Sequence, residues 1–258
     1  MVFQNDAHPV LWSSLADPAT VRLLAAAAPA WVVLDAQHGT WSESALLATL
    51  PTLDVAVPVL VRVADDRPAG IGRALDAGAD GVVVPMVETA AQAAAAVRAC
   101  RYPPEGARSW GPAAPLVART APGAAAANRS VRCAVMVETA AALAVVDAIA
   151  AVPGLDMVFV GPFDLGLALG RDVDDLLADD GPGAPLPAVV TACRAAGVRA
   201  GAFAGDEARA ARLVELGFTD VVVGTDTGLL LAAARATVAR WGTGAGTTEA
   251  MGGGYGTP

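Results

Sequence analysis

The stretch Leu75-Asp76-Ala77-Gly78-Ala79-Asp80-Gly81-Val82-Val83-Val84-Pro85-Met86-Val87 holds the fold in miniature. Leu75 to Ala77 end a helical pattern, and Gly78 suits the left-handed turn that closes a helix. Gly81 to Pro85 is then a short apolar, β-branched run of the kind found in parallel sheets covered by helices on both faces. The same punctuation returns at Leu216-Gly217-Phe218-Thr219-Asp220, again just before an apolar run.

Working outward, eight such runs read as strands: Val10 to Ser14, Trp31 to Asp35, Pro58 to Val63, Gly81 to Pro85, Val131 to Glu138, Met157 to Gly161, Val198 to Phe203 and Asp220 to Gly224. Helical segments alternate with them. One opens at the cap Asp17-Pro18; the others are Ser42 to Leu50, Arg67 to Ala77, Thr89 to Ala99, Thr139 to Ala150, Pro187 to Ala196, Asp206 to Leu216 and Thr227 to Arg240. This strict alternation predicts a closed (β/α)8 barrel of the α/β class, and 258 residues match its usual size of ~250. Residues 1–241 read as one barrel domain, and 242–258, rich in Gly and Thr, as a flexible tail. Cys100 to Ser130 and the acid-rich Gly166 to Leu186 break the rhythm.

Composition narrows the chemistry. All 17 residues counted as Lys plus Arg are Arg. No side-chain Schiff base, pyridoxal-phosphate lysine or lysine phosphate loop is therefore possible, and only the N-terminal amine could form an imine. The histidines, His8 and His38, are too few for a three-His zinc site, and Cys100, Cys133 and Cys193 lack paired spacing, so a metal would sit mainly on oxygen. A net charge of -9 and pI near 4.6 disfavour nucleic acid. The mean hydropathy of +0.50 rests largely on Ala and Val, and Glu138 and Asp147 interrupt the most apolar region, so no membrane span is expected. Without a secretory signal or a disulfide framework, the expectation is a cytoplasmic protein.

In a parallel barrel the active site gathers where strands end. The strand ends carry Asp35 and His38, Arg62, Pro85-Met86 and Glu88, Glu138 and Asp164. Glu138 closes an apolar run, where an unpaired carboxylate is costly, and Asp164 follows the next strand in Gly161-Pro162-Phe163-Asp164-Leu165. Two carboxylates on neighbouring strands can hold one hard dication, Mg, Mn or Co. Taken singly, Asp164 also fits a helix cap and Glu138 a salt bridge to arginine. His38 fits a general base, oriented by a carboxylate such as Asp35 or Asp76, and also a plain surface histidine. Arg62 fits enolate stabilisation or carboxylate binding if it points inward, and structural pairing if it does not. Asp226, after the last strand, argues against a phosphorylated substrate.

Together, Asp35-Ala36-Gln37-His38-Gly39, Val59-Leu60-Val61-Arg62-Val63, the Leu75 to Val87 stretch, Arg101-Tyr102-Pro103-Pro104-Glu105-Gly106-Ala107-Arg108, Val137-Glu138-Thr139 and Gly161-Pro162-Phe163-Asp164-Leu165 resemble the HpcH/HpaI aldolases, metal-dependent pyruvate aldolases, from about Leu11 to Leu230. The resemblance implies reversible cleavage of a 4-hydroxy-2-oxo acid to pyruvate or a related 2-oxo acid plus an aldehyde. Glu138 and Asp164 would ligate the metal, Arg62 contact the keto oxygen, and His38 manage the proton with help from Asp76. Trp12, Pro162, Phe163 and Asp164 would flank the substrate, with Asp35, Gln37 and Met136 behind them or at an interface. It also implies a homo-oligomer, a hexamer with an exchanged C-terminal helix. The absence of lysine agrees, since aldol cleavage needs an iminium or a metal as electron sink. Oxaloacetate decarboxylation, CoA-thioester cleavage and a non-catalytic binding barrel are the alternatives. Three positions depart from the family pattern: Met136 where Gln is common, Phe163 where a small residue is common and Gly166 where Ser is common.

Overall fold

Alternate residues of a strand face opposite ways, so an eight-strand ring sorts side chains into an inner plug and an outer layer. The computed structural model, which describes residues 7–181 and 183–242, closes that ring in chain order. The strands are β1 His8–Ser13, β2 Trp31–Asp35, β3 Val59–Arg62, β4 Gly81–Val84, β5 Arg132–Val137, β6 Met157–Val160, β7 Arg199–Phe203 and β8 Asp220–Thr225. All neighbours pair parallel, and β8 returns to β1 with a register shift between Val10 and Leu11.

The inner plug comprises Val10, Trp12, Trp31, Val33, Leu60, Val83, Ala134, Met136, Met157, Phe159 and Val222. Intervening residues such as Val32, Leu34, Val61, Val135 and Val158 pack under the helices. Gly201 makes room for the plug, since a Cβ there would lie 2.7 Å from the Phe159 ring. Continuing the inward parity past the plug reaches Asp35 after Val33, Arg62 after Leu60, Glu138 after Met136 and Gly161 after Phe159. The period of two thus carries the polar residues to one mouth.

The helices are α1 Pro18–Ala26, α2 Glu43–Thr49, α3 Pro68–Ala77, α4 Ala90–Cys100, α5 Ala124–Ser130, α6 Ala140–Ala144, α7 Val146–Ala150, α8 Pro162–Leu169, α9 Val173–Ala178, α10 Pro185–Ala196, α11 Glu207–Leu216 and α12 Asp226–Gly242. Asp17 caps α1 with bonds from the Ala19 and Thr20 amides, and Gly78 and Gly217 close α3 and α11 at φ of 116° and 102°. The single helix expected over Thr139 to Ala150 is instead two, because Val145 leaves helical geometry at φ -125°, ψ 21°. The irregular stretches contain helices too. Cys100 to Ser130 holds a 3-10 turn at Ala114–Val117 and α5, while Asp172 caps α9 inside the acid-rich segment. Among the described residues no helix is long and apolar enough to cross a membrane. The expected tail, from 243 on, lies outside the described residues.

At the closed end of the barrel, fully buried Asp220 accepts the Trp31 indole N–H at 2.9 Å and the Thr219 hydroxyl at 2.8 Å, and pairs with Arg199. This knot joins β2, β7 and β8. Asp220→Ala is expected to lower stability by roughly 2 kcal/mol or more, because it strands an indole N–H and a guanidinium. Urea unfolding measures it, with an unchanged midpoint as the contrary result.

Candidate active site

The mouth at the strand C-termini holds a cavity of about 180 Å³ lined by Trp12, His38, Arg62, Met136, Phe159, Gly161, Phe163, Asp164 and Phe203. Its anchor is the buried pair Asp35 and Arg62. Arg62 gives Nε to Asp35 at 2.8 Å and Nη2 at 2.6 Å, the two-pronged geometry that suits a guanidinium and a carboxylate. The guanidinium also lies 5.0 Å from the Trp12 ring centroid, and Trp12 donates its indole N–H to Asp35 at 3.2 Å. Burial opposes the charge on Asp35, but the hydrogen bonds and positive charge of Arg62 outweigh it and hold the carboxyl below its ordinary pKa. Nη1 of Arg62 makes no hydrogen bond among the described residues, so one edge of the cation is left for a ligand.

Asp35 also accepts the backbone amides of Gln37 and His38 at 3.0 and 3.1 Å, folding the loop after β2. Gly39 permits this turn, since a Cβ there would lie 2.4 Å from the Asp35 carbonyl oxygen. His38 is exposed at the cavity. Asp35 therefore holds the backbone of His38 and not its ring.

Glu138 is 3% exposed. One of its oxygens accepts the Met86 amide at 2.7 Å, and the other faces Gly161, whose hypothetical Cβ would stand 2.9 Å from it. Burial pushes the Glu138 carboxyl above its usual pKa and the charge of Asp164 adds to the rise, while the Met86 amide, Arg62 and His38 work against it. Asp164, in the first turn of α8, accepts no hydrogen bond and joins no ion pair among the described residues, so it is not a helix cap. Among the described residues Glu138 has no arginine partner within salt-bridge distance either. Two neighbouring carboxylates, one buried and neither neutralised, are a donor set that fits a hard divalent cation.

The Leu165 amide is the first of α8 to close a helical bond, to Gly161 at 2.9 Å. The amides of Phe163 and Asp164 before it lack intrahelical acceptors, and an anion can use them.

Other expected residues stand elsewhere. Asp76 ends α3 at the opposite end of the barrel, where it accepts Arg108 at 2.8 Å in a nearly buried pair. Within one chain it does not reach His38, because helix C-termini and strand C-termini lie at opposite ends of a β/α unit. Pro162 begins α8, buried, and is not part of the cavity lining, so its place here is at the helix start. Met136, in contrast, lines the cavity. Gly166 lies in the middle of α8, where a Cβ would lie 2.9 Å from the Arg171 carbonyl oxygen, so its departure from Ser concerns packing. Asp226 accepts the Ser13 hydroxyl at 3.0 Å and the Leu15 amide at 2.9 Å, which ties the loop after β1.

The sequence places Met86 at a strand end but assigns it no role. Its φ of 56° is unusual for a residue with a Cβ, and that turn aims its amide at Glu138. The only signal available was its place just after a strand.

The HpcH/HpaI aldolase/citrate lyase family model matches residues 8–233. Hydroxypyruvate/pyruvate aldolase of Pseudomonas aeruginosa is 39% identical over 98% of this chain and 95% of the relative. The 5-keto-4-deoxy-D-glucarate aldolase of Salmonella paratyphi A is 37% identical over 84% of this chain and 85% of its own length. A crystal structure of a family protein from Burkholderia cenocepacia superposes with a TM-score of 0.82 at 32% identity, covering 93% of this chain and 96% of that one. The chain belongs to the HpcH/HpaI aldolase/citrate lyase family and is, by that kinship, an aldolase of the carbon–carbon lyase class.

Proposed function

We propose that this protein is a divalent-metal-dependent aldolase that reversibly cleaves a 4-hydroxy-2-oxo acid into pyruvate or hydroxypyruvate and an aldehyde. The observation that carries the proposal is the meeting, at one mouth, of the uncompensated pair Glu138 and Asp164 with the open edge of Arg62 and the free imidazole of His38. Hydroxypyruvate/pyruvate aldolases among the relatives at 37–39% identity support the donor. Glu138 and Asp164 would hold the cation, Mg, Mn or Co, which supplies Lewis-acid polarisation of the oxo acid when bound.

The chain's own groups account for the remaining work. Free amides at the start of α8 receive the substrate carboxylate. Arg62 offers Nη1 to the keto oxygen, where negative charge gathers as the C3–C4 pair withdraws into the three-carbon fragment. His38 takes the proton from the 4-hydroxyl as the aldehyde forms, and the protonated imidazole then gives that proton to C3, which completes the methyl group of pyruvate. In the reverse direction His38 removes that methyl proton. Asp35 keeps the Arg62 plane fixed, so the donor edge does not wander between the two steps.

The assembly reading is a homo-oligomer, with a hexamer as the expected form. Leu229, Leu230, Leu231, Val238 and Trp241 stand exposed on α12, and exchange of this helix between copies would bury them. The cysteines Cys100, Cys133 and Cys193 are free and buried, which suits a reducing cytoplasm.

Treatment with a chelator is expected to abolish cleavage, and Mg, Mn or Co to restore it. Glu138→Gln should weaken Mn binding at least about tenfold in calorimetric titration; unchanged Mn affinity would reject the ligand assignment. His38→Ala should slow exchange of the pyruvate methyl protons with deuterium oxide by about 10²-fold or more while Mn still binds. Exchange at the wild-type rate in that variant would remove His38 from the proton path.

A further inference from the structure

The cavity has two unlike arcs. His38, Arg62 and Asp164, with Glu138 behind Gly161, make one arc polar. The other arc is aromatic and runs through β6, β7 and β1: Phe163 meets Phe203 edge-on at 6.2 Å, and Phe203 meets Trp12 edge-on at 5.6 Å. An anionic oxo acid belongs on the polar arc, so whatever is joined to its reacting carbon must extend over the rings.

Phe163 shapes that arc. It is 38% exposed, so its ring rises from the lining toward solvent. Its outer edge rests against the turn after β7, where Gly205 has φ +84° and a Cβ would come 3.2 Å from the ring. Arg209, at the start of α11, lies 5.3 Å from the centroid of the same ring. This cation is already engaged. It gives Nε and Nη2 to Asp174 at 2.7 and 3.1 Å and stands 3.4 Å from Asp206. The cation beside the Phe163 ring therefore has its charge answered by two carboxylates.

We propose that Phe163, held between Phe203 and Arg209, determines acceptor specificity, and that this enzyme takes aldehydes with an uncharged apolar substituent and disfavours those bearing a carboxylate. The proposal rests on the aldolase reading and names the acceptor class for that site. An apolar substituent gains contact with two rings, whereas a carboxylate there would lose water beside an Arg209 already paired with Asp174, the open edge of Arg62 being taken by the keto oxygen.

Pentanal and 4-oxobutanoate make a suitable pair of probes. They are similar in length, and the carboxylate of the second is too far from its carbonyl to alter reactivity much. Aldol addition of pyruvate to each would be followed with the Mn-loaded wild type, Phe163→Ala and Phe163→Leu. The ratio of kcat/KM values cancels any loss common to both acceptors. The wild type should favour pentanal by about tenfold or more, the scale of ring contact plus unrelieved desolvation. Phe163→Ala should lose most of that preference, and Phe163→Leu should keep an intermediate part. A wild-type preference for 4-oxobutanoate, or the same ratio in all three proteins, would overturn the proposal. Exchange of pyruvate methyl protons, measured in the wild type without any acceptor, separates the two levels. Exchange present with no acceptor preference defeats only this inference, whereas exchange and addition both absent defeat the aldolase reading and the inference with it.

Discussion

The site depends on an electrostatic conflict that the barrel enforces. Inward parity brings Glu138 to the mouth of β5, and the tight turn after β6 brings Asp164 beside it. Like charges at the edge of an apolar plug repel and lose water together, a state that persists only when the surrounding fold leaves no alternative. Three details remove the alternatives. Met86, in its left-handed turn, grips one Glu138 oxygen, Gly161 leaves no side chain to cover the other, and Met136 fills the space below without offering a hydrogen bond. A cation held by both carboxylates would turn repulsion into attraction.

Arg62 is the counterpart of that conflict. A guanidinium so close to the carboxylates could have collapsed onto them as a structural ion pair. Asp35 prevents this by holding two of its nitrogens in a buried, planar clamp, with Trp12 beneath. The acids and the cation are thus kept as separate tools, and removal of Asp35 would free Arg62 to quench them. The expense of burying this clamp is offset by the five donors that converge on Asp35.

The barrel and the membership of the polar arc were legible because both follow from periods. Apolar runs such as Gly81 to Val84 mark strands, and counting by two from Leu60 or Met136 reaches Arg62 or Glu138 without coordinates. What lacked a period was not legible. The break at Val145 falls in an alanine-rich stretch with no Pro or Gly to announce it. The positive φ of Met86 belongs to a residue type that does not call for one. Asp76 misleads in a different way: motif proximity links it to catalysis, but in this chain its carboxylate is spent on Arg108 at the other end of the barrel. Motifs report which residues travel together and not which end of a helix they occupy.

Phe163 shows how one substitution on a fixed scaffold can redirect a site without touching its chemistry. The atoms proposed to handle the oxo acid are carried by strand ends and by backbone amides, whose positions the closed ring determines. The Phe163 side chain leaves the same turn in the opposite sense, toward Gly205 and α11. Its neighbours have adapted to it, since Gly205 supplies room and Arg209 supplies a stacked lid whose charge Asp174 answers. A carboxylate in place of an apolar substituent would have to draw Arg209 away from Asp174 and uncover the ring, losing two contacts to gain one. Bond-breaking groups and shape-selecting groups are therefore carried by different parts of one short turn, and the second set can vary while the first stays in place.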